Sequence, residues 1–524
     1  MKGHTKIVIM LIAAGIIVIT AYRFVAPFFE ESAQKQTSDA RNIKAKILIG
    51  TDNWIGYFPL CSTHLRKSMR RNGYDLRCQD DQADYPKRMQ ALARGDLQFA
   101  VATVDAYLSN GSAVNFPATI VAVIDESKGG DAIVAWRKKI TNIDALKKQT
   151  DYRIALTPNS PSEHLLRSMA VHFDIPLLQP KSGAWRIASN GSEDALKRLL
   201  NKQADIAVLW EPDVSKALHQ QGIIKILGTE DTDKLIVDVL LVNRSFARKN
   251  PQIVTALLKS YFRTVKYYRE NPQTLSGDIA KLSKLDHQKI QTMLNGVNWK
   301  NLTDNSLSWF GVAKNFGRQN QQGLVDVIES TVSLLVDLGD FNQNPIPDHD
   351  PYRLINSRFI SELYQSSVVT QFGQTRKSHS PQDTHGLARD FKPLNVNQWR
   401  ALREIGTLKI RPIVFQSGTF ELSDEGREQM KQAVEHLKHY PNFRVLVKGH
   451  TGTRGDADAN LRLSEHRAKA VASFLHKQYG IDTDRIRPQG FGAKQPLPKR
   501  TGESERAYQY RLPRVELFLV AEDI

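Results

Sequence analysis

The sequence predicts two α/β lobes followed by a small α+β domain, with one N-terminal transmembrane helix. Three observations predict this arrangement. Residues 7–21 are apolar except for one threonine, short apolar segments alternate with helical patterns from residue 45, and a polar stretch at residues 374–390 precedes a second alternation of strand and helix. At roughly 100 to 200 residues per domain, 524 residues have room for three compact units.

Amino-acid composition limits the classes of protein to which this chain can belong. A hydrophobic content of 41% and a charged content of 24% are typical of globular protein, which argues against long disorder and against a many-span membrane protein. The net charge is +17, but Lys and Arg are scattered and no nucleic-acid-binding motif is present, so we expect no nucleic-acid partner. The charge indicates either a solvated basic surface or attraction to anionic lipid, cell wall or solute.

The N-terminal segment, residues 1–29, is expected to be a signal or a membrane anchor. Its apolar run is short for a membrane span, but residues 24–29 extend it if Arg23 reaches a headgroup. Cleavage after Ala21 or Ala26 would place unsuitable residues beside the cut, which favours a retained anchor over a cleaved signal. Two lysines precede the run, so the rest of the chain should lie in the periplasm, with a single pass through the inner membrane.

The two cysteines, Cys61 and Cys78, are more consistent with a disulfide than with a metal site in an exported protein. The bond would join the first helix to the following strand. No C-x-x-C motif occurs, so its role is structural. No metal site and no cofactor is predicted.

Strand and helix patterns follow one another after a polar tether at residues 30–44. The first predicted elements are a strand, a helix, a strand and a helix at 45–50, 61–72, 74–78 and 85–94. Further short apolar strands are predicted at 99–103, 118–124, 132–136, 154–157 and 206–209. Helical patterns dominate residues 253–373. This alternation indicates α/β lobes over residues 45–373.

A linker at residues 374–399 should separate the lobes from a final domain at 400–524. The predicted elements of that domain are a strand, a helix, a strand, a helix and a strand at 408–415, 423–439, 443–449, 464–479 and 514–520. The pattern is that of a small α+β unit.

The final domain resembles the OmpA-like family, which binds peptidoglycan. The resemblance is carried by VKGHTGTRGDADANLRLSEHRAKAVASFLHKQYGI at residues 447–481, then by RIRPQGFGAKQPL and RVELFLV. It implies that the ligand is the diaminopimelate of the peptide stem, whose free end carries a carboxylate and an ammonium group. Such a ligand needs an anchor of each sign.

The resemblance assigns roles to five residues. Arg467, in a helix, would bind the carboxylate. Asn460 matches a family residue that is expected to hold the preceding loop. Gly452 stands where the family has the aspartate that receives the ammonium, and Asp456 either replaces that charge or is simply solvated. Arg514 matches the arginine before the last strand.

Residues 45–373 resemble periplasmic solute-binding proteins of the aliphatic-sulfonate, nitrate and thiamine-precursor type. The resemblance is closer still to the substrate-binding proteins of phosphate transporters that are fused to an OmpA-like domain. It is carried by TDNWIGYFPL, LARGDLQFAVATVDAYL, VAVIDESKGGDAIV, LTPNSPSEHLL and ADIAVLWEPDV. It implies a two-lobed periplasmic-binding-protein-like clamp that binds a small polar or anionic solute in the cleft between its lobes.

Nine residues follow the predicted strands at the cleft and are candidates for solute binding. They are Trp54, Tyr57, Asp105, Asp125, Ser127, Ser160, Ser162, Trp210 and Glu211. Core packing is the alternative role for the aromatic residues, and helix capping or a plain turn is the alternative for the others. Carboxylates in the cleft would repel a bare anion.

No hydrolase, metalloprotease or P-loop motif occurs, so we expect no enzymatic activity. His164 and His450 are expected to be surface and loop-packing residues. The predicted function is a membrane-tethered receptor attached to peptidoglycan, possible partners being a membrane transporter or a sensor complex. The alternatives are a structural protein of the envelope whose clamp binds a protein, and the substrate-binding component of an ABC importer.

Overall fold

The computed structural model describes residues 43–283, 287–312, 323–371, 391–410, 413, 415–416 and 419–522. Within these ranges, no helix combines the length and the apolar character that crossing a bilayer requires. The anchor predicted at residues 1–29, the tether up to residue 42 and the polar stretch at 374–390 all lie outside the described residues.

Fifteen strands form three sheets in the described part of the chain. The strands are β1 Ala45–Thr51, β2 Tyr74–Asp80, β3 Phe99–Thr103, β4 Ala118–Ser127, β5 Asp131–Trp136, β6 Ile154–Leu156, β7 Arg186–Ala188, β8 Ile206–Trp210, β9 Ile223–Gly228, β10 Val237–Asn243, β11 Val297–Trp299, β12 Arg403–Thr407, β13 Arg444–His450, β14 Ile486–Gly492 and β15 Arg514–Ala521.

The helices alternate with these strands as the sequence predicted. They are α1 Phe58–Cys61, α2 Thr63–Arg71, α3 Tyr85–Arg94, α4 Val104–Gly111, α5 Ala145–Lys148, α6 Pro161–His172, α7 Gly191–Leu200, α8 Asp213–Leu218, α9 Arg244–Lys249, α10 Pro251–Glu270, α11 Pro272–Ser283, α12 His287–Leu294, α13 Leu302–Asp304, α14 Gly323–Asp337, α15 Arg358–Gln371, α16 Val396–Ala401, α17 Asp424–Lys438, α18 Ala457–Tyr479 and α19 Glu505–Arg511. A π-helical turn, Asn305–Trp309, follows α13.

Lobe 1 contains a six-stranded sheet in the order β11-β4-β10-β3-β1-β2. Strands β1, β2 and β3 are parallel, and β10 runs antiparallel between β3 and β4. Every residue of β3 and β4 is buried, because helices cover both faces of the sheet. This explains why β3 and residues 118–124 of β4 are almost entirely apolar in the sequence.

Lobe 2 contains a five-stranded sheet in the order β7-β6-β8-β5-β9. The chain passes from lobe 1 to lobe 2 between β4 and β5 and returns between β9 and β10. The two lobes are therefore connected by two crossover segments, which is the connectivity of a two-lobed clamp. The clamp ends with α14 and α15, which pack on lobe 1.

The C-terminal domain folds around a four-stranded sheet in the order β12-β15-β13-β14, with α17 and α18 packed on it. Phe391 is buried under the guanidinium of Arg444, and a nitrogen of that guanidinium lies 2.8 Å from the carbonyl of Lys392. Residues 391–399, which the sequence assigned to a linker, thus pack against this domain.

Several predicted element boundaries are wrong. The strand expected at residues 408–415 lies earlier, at β12, because Arg403 to Thr407 pair with β15 while Leu408 and Ile413 are buried without belonging to a strand. Helix α18 begins at Ala457 rather than at residue 464, since Asp456 caps it by accepting from the Ala459 amide at 2.7 Å. The run of helices predicted over residues 253–373 is interrupted by β11.

The predicted disulfide between Cys61 and Cys78 is confirmed. It joins the end of α1 to β2 across a sequence separation of 17 residues. The helix predicted over residues 61–72 breaks at Ser62, whose hydroxyl instead caps α2 by accepting from the Leu65 amide. A loop of this length gives a stabilisation of about 3 kcal/mol.

Lobe 2 and the C-terminal domain share one hydrophobic core cluster, so they are packed together. Backbone hydrogen bonds cross the boundary from Ile143 to Ile405 at 3.1 Å and from Lys409 to His172 at 2.6 Å. The amide of Thr407 donates to the Asp144 carboxylate at 3.2 Å. The sequence predicted two independent units joined by a linker and did not predict this interface.

A histidine cluster lies within the interface. His172 is the last residue of α6 and is buried, with its Nδ1 2.8 Å from the Tyr440 hydroxyl. Its ring stacks on His439 with centroids 4.9 Å apart, and His436 lies at 5.2 Å. Burial lowers the pKa of His172 well below its usual value, and His439 and His436 lower it further. The interface therefore requires a neutral His172.

We expect acidification to destabilise this interface. Because the folded-state pKa of His172 is lowered, its contribution to stability is present above the unfolded pKa of about 6.5 and is lost as pH falls, by at most about 1.4 kcal/mol per pH unit. Burial also lowers the pKa of His439, against the opposing charges of Asp233 and Glu435.

The measurement is urea unfolding of the full chain and of His172→Phe between pH 7.5 and 4.5. The variant removes the ring nitrogen that is hydrogen-bonded to the Tyr440 hydroxyl, so it should be less stable than the wild type at pH 7.5. The difference in free energy of unfolding between the wild type and the variant should decrease below pH 6.5, because phenylalanine cannot take up a proton. Titrating groups elsewhere in the chain affect both proteins equally and cancel in this difference. A difference in free energy of unfolding that stays constant with pH would contradict the prediction.

Candidate functional site

The cleft between the lobes is the candidate site. The carboxyl ends of β1, β3, β6 and β8 face it, and the sequence-predicted residues Trp54, Asp105, Ser160 and Trp210 lie at or just after these ends. Thr229 ties the two crossover segments together, since its hydroxyl lies 2.8 Å from the Ser127 hydroxyl and accepts from the Gly129 amide at 2.9 Å. Ser127 thus belongs to the hinge of the clamp.

Polar contacts close the cleft by joining the two lobes. The Trp210 indole donates to the Asn53 side chain at 2.8 Å. The side chain of Asn110 donates to the carbonyl of Asn159 at 3.0 Å, and that of Asn190 to Gln82 at 3.3 Å. The lobes are therefore in contact along the cleft, and Trp210 is buried by lobe 1.

A buried ion pair also crosses between the lobes. Arg167, on α6 of lobe 2, donates from both terminal nitrogens to the two oxygens of Asp340, which follows α14 of lobe 1, at 2.6 and 2.7 Å. Lys181 lies 3.2 Å from the same carboxylate. Bidentate geometry of this kind is among the stronger charge-assisted contacts in proteins.

Aromatic side chains fill the floor of the cleft. The Trp54 ring lies against Gly130, where a side chain would clash with it, and its indole nitrogen is 3.3 Å from Asp125. The Tyr57 hydroxyl donates to Asp238. Both aromatic residues are buried. Their rings pack in the core of lobe 1, and their polar ends meet carboxylates.

Buried carboxylates are concentrated behind these rings. Burial raises the pKa of Asp125 to about 7 and that of Asp131 to about 8, and the charges of Asp105, Asp125 and Asp52 add to the shift of Asp131. Burial also raises the pKa of Asp238 well above its usual value, with further repulsion from Asp125. Burial thus favours the protonated forms of these acids, which limits the negative charge that would repel an anion.

Asp105 and Asp125 were predicted from the sequence, whereas Asp52, Asp131 and Asp238 were not. The sequence contains a feature that could have identified two of these three residues. Asp131 follows the paired glycines of the first crossover, and Asp238 interrupts the apolar run IVDVLLV of β10. A carboxylate inside a strand that is otherwise apolar indicates either a buried partner or a ligand site.

Two of the other predicted residues, Glu211 and Ser160, take capping roles. The carboxylate of Glu211 accepts from the Ser215 amide at 3.0 Å and from its hydroxyl at 2.6 Å, at the start of α8. Ser160 caps α6 by accepting from the Ser162 amide at 3.2 Å. The hydroxyl of Ser162 is buried and has no hydrogen-bond partner among the described residues.

The C-terminal domain places Arg467 on α18, half-buried beside the loop that follows β12. Its Nε donates to the Thr419 carbonyl at 3.3 Å, and its guanidinium lies 5.0 Å from the centre of the Phe415 ring. Burial lowers the pKa of Arg467 from its usual value, although the side chain remains cationic. Its terminal nitrogens have no hydrogen-bond partner among the residues that the structure describes, so this half-buried guanidinium is suited to a carboxylate ligand.

The residues around the loop before α18 have local partners. Asn460 donates to the Arg454 carbonyl at 2.9 Å, which holds the loop, and Asp456 caps the helix. At Gly452, Oε1 of Gln509 lies 3.2 Å from the position that a Cβ would take. Helix α19 thus covers the site of the missing family aspartate with a neutral amide.

Arg514 lies at the start of β15 and donates to three groups. They are the Glu516 carboxylate at 2.6 Å and the carbonyls of Leu512 and Gln495, each at 3.1 Å. The side chain is held in place by these contacts. Arg467 is therefore the more available of the two arginines.

The expectation that His164 is a surface residue is wrong, because α6 buries it between the lobes at 6% exposure. His450 is also buried, beneath the last strand, with its Nε2 3.4 Å from the Glu516 carboxylate. No group of three or more metal-ligating side chains with suitable geometry occurs in the described ranges.

Two family models match the chain. Residues 70–275 match the model described as NMT1/THI5 like, and residues 414–510 match the model described as OmpA family. These segments lie in the clamp and in the C-terminal domain respectively.

Curated relatives match the C-terminal domain. The probable lipoprotein YiaD of Escherichia coli is 36% identical over 100 residues, covering 19% of this chain and 45% of that protein. The outer membrane protein Omp38 of Acinetobacter baumannii is 31% identical over 100 residues, covering 19% and 28%. The peptidoglycan-associated lipoprotein of Legionella pneumophila is 35% identical over 78 residues, covering 15% and 44%. The chain thus spans less than half the length of each of these relatives.

Solved structures resemble the clamp. The alkanesulfonate-binding protein SsuA from Xanthomonas axonopodis pv. citri, bound to MOPS, is 15% identical with a TM-score of 0.46, covering 59% of this chain and 98% of that chain. The nitrate-binding protein NrtA from Synechocystis PCC 6803 is 14% identical with a TM-score of 0.44, covering 62% and 88%.

Proposed function

We propose that this chain, which joins an NMT1/THI5-like domain to an OmpA domain, is a non-enzymatic solute receptor attached to peptidoglycan. The clamp binds a small solute between its lobes. The C-terminal domain holds the protein to the cell wall. One observation carries the proposal: side chains from both lobes, such as Asn53 and Trp210, meet in a single cleft at the carboxyl ends of the strands.

The location that we propose is the periplasm, with residues 1–29 as a single-pass anchor in the inner membrane. Two features of the chain support it. The apolar run is preceded by lysines, and the Cys61–Cys78 bond is of a kind that persists in oxidising compartments. An anchored receptor displays its solute site at a fixed place in the envelope, so we propose a transporter or sensor in the membrane as its partner.

The test is a thermal melt of the purified full-length chain in mild detergent, followed by intrinsic tryptophan fluorescence. The solutes are phosphate, nitrate, an alkanesulfonate, an aminopyrimidine and amino acids. A ligand at about 100 times its dissociation constant adds roughly 2.7 kcal/mol, which should raise the midpoint by several degrees. Cooperative unfolding with no shift for any solute would reject the receptor function.

A protein-binding scaffold is the second candidate, and a specific observation favours it. Trp54, Tyr57 and Trp210 fill the cleft and are hydrogen-bonded to groups of the protein itself. A clamp that has lost its solute could be stable in this filled form. The thermal melts with the solutes named above distinguish the two functions, because none of these solutes should raise the melting midpoint of a scaffold.

We expect attachment to the cell wall to depend on Arg467. Replacing it by alanine removes the cation that faces the stem carboxylate, and loss of one charge-assisted contact should weaken binding about tenfold or more. The measurement is co-sedimentation of the full-length chain with purified sacculi over a range of sacculus concentrations.

Arg462→Ala is the matched control, since Arg462 is an exposed arginine on the same helix. This variant should sediment like the wild type, apart from a small loss of nonspecific attraction. Equal sedimentation of Arg467→Ala and the wild type would show that the carboxylate site lies elsewhere.

A further inference from the structure

A small cavity lies between the lobes, where α4 of lobe 1 faces α6 of lobe 2. Its lining includes Asp105, Asn159, Ser160, His164, Arg167 and Asp340. The cavity has a volume of about 10 Å³, which is room for one non-hydrogen atom of the size of a water oxygen or an ammonium nitrogen. Residues from both lobes contribute, so a molecule bound here would hold the clamp closed.

Most charged side chains around this cavity are paired with one another. Arg167 and Lys181 share the Asp340 carboxylate. Glu163 forms an ion pair with Arg186 and accepts from the Asn159 amide at 2.6 Å. Asp105 takes part in none of these ion pairs, and burial raises the pKa of its carboxyl, an effect that the nearby His164 of lobe 2 opposes.

Two buried polar atoms of the cavity lining have no hydrogen-bond partner within the described residues. They are Oδ1 of Asp105, from lobe 1, and Nδ1 of His164, from lobe 2. Both side chains are at least nine-tenths buried. A buried polar atom left without a partner is unfavourable by about 1 to 3 kcal/mol, so two such atoms facing one cavity indicate a missing ligand.

The chemistry of the two atoms defines the ligand. A carboxylate oxygen only accepts hydrogen bonds, and a neutral histidine offers one accepting ring nitrogen. Burial lowers the pKa of His164, which favours the neutral ring. A group that donates two hydrogen bonds and carries positive charge therefore fits, whereas an anion would be repelled by Asp105.

The wider cleft contains further acidic groups, and a bound cation would favour their ionised forms. Asp52, Asp125, Asp131 and Asp238 are all buried, and the charge of Asp105 reaches Asp131. Arg88 is the cation beside them, and it is already paired with Asp52 and Asp81. The aromatic rings of the cleft offer faces that attract organic cations.

We propose that the cleft binds an organic solute with a primary ammonium group, which donates hydrogen bonds to Oδ1 of Asp105 and Nδ1 of His164. This inference rests on the receptor function proposed above and names its ligand class. In the closed form the cavity accommodates the ammonium head. The cross-lobe contacts of Asn110 and Trp210 must open for the rest of the solute to enter.

The test uses probes of similar size and opposite charge. Ethanolamine and putrescine carry the ammonium group, and isethionate and phosphate are the anionic counterparts. We expect calorimetric titration of the full-length chain in mild detergent to detect the two amines, and the melting midpoint to rise by several degrees near 100 times the dissociation constant. Asp105→Asn should weaken amine binding at least tenfold, because the neutral amide keeps the shape but not the charge.

Asp75→Asn is the control, since Asp75 lies near the start of β2, at the edge of lobe 1 opposite the cleft, and pairs with surface arginines. It should bind amines like the wild type.

Binding of isethionate or phosphate but of neither amine would overturn the amine assignment and keep the receptor function. Amine binding that Asp105→Asn leaves unchanged would overturn the site. If no probe binds and the protein still melts cooperatively, the amine assignment is wrong. If the solutes tested under the proposed function also cause no shift of the melting midpoint, the receptor function is wrong as well.

Discussion

Replacing Arg88 by alanine is expected to lower the free energy of unfolding of the clamp by about 3–5 kcal/mol. Arg88 lies on α3 and is fully buried between β1 and β3. Its terminal nitrogens lie 3.0 Å from Asp52, 2.5 Å from Asp81 and 2.8 Å from the carbonyl of Val101. No other side chain on α3 forms so many buried contacts.

The size of the effect follows from what the substitution leaves behind. Without the guanidinium, the carboxylate of Asp52 and the carbonyl of Val101 stay buried with fewer donors. Burial already raises the pKa of Asp81. Asp52 also accepts from the Trp54 amide at 3.0 Å, so loss of Arg88 should loosen the loop that carries the cleft tryptophan.

The measurement is urea unfolding of the full-length chain, taking the transition that reports on the clamp. Arg94→Ala is the matched control, since Arg94 ends the same helix and pairs with Asp96 in an exposed ion pair. Such surface pairs contribute at most about 1 kcal/mol. Similar losses for the two variants would refute the dominant role of the buried network.

Much of the fold could be predicted from local patterns. Strand β3 and the first seven residues of β4 are almost entirely apolar, and each motif of the two resemblances is a continuous stretch of sequence. The matches of residues 70–275 and 414–510 to the two family models confirm those resemblances. Strand β10 was missed because Asp238 interrupts its apolar pattern, although it pairs with β3 and β4 at the centre of the sheet.

The candidate site was less predictable, because it is assembled from residues that are far apart in sequence. Asp105 was predicted as a site residue because it follows β3. The proximity of Asp105 to His164, however, arises from the packing of α4 against α6 across the cleft. The pairing of Arg167 with Asp340 spans a sequence separation of 173 residues, and no spacing rule identifies it. The same is true of the contact between His172 and Tyr440, which joins two domains.

Replacing Asp340 by alanine is expected to destabilise the closed clamp by about 3–5 kcal/mol and to favour separation of the lobes. The carboxylate is buried and is shared by Arg167 and Lys181, both in lobe 2. Its loss leaves the buried Arg167 guanidinium with one remaining acceptor among the described residues, the carbonyl of Gln179 at 2.6 Å. Separation of the lobes restores water to the guanidinium, so opening relieves part of the penalty.

Two measurements separate lobe opening from general unfolding. Tryptophan fluorescence should shift to longer wavelength in Asp340→Ala, because opening exposes Trp210 to water, while far-ultraviolet circular dichroism stays unchanged. Asp340→Asn should show an intermediate effect, since its amide keeps one acceptor. Asp326→Ala is the control, as Asp326 is an exposed carboxylate on α14, and it should match the wild type in both measurements. An unchanged Trp210 environment in Asp340→Ala would mean that the lobes stay closed without this ion pair, and that contacts such as Trp210 with Asn53 suffice to hold them.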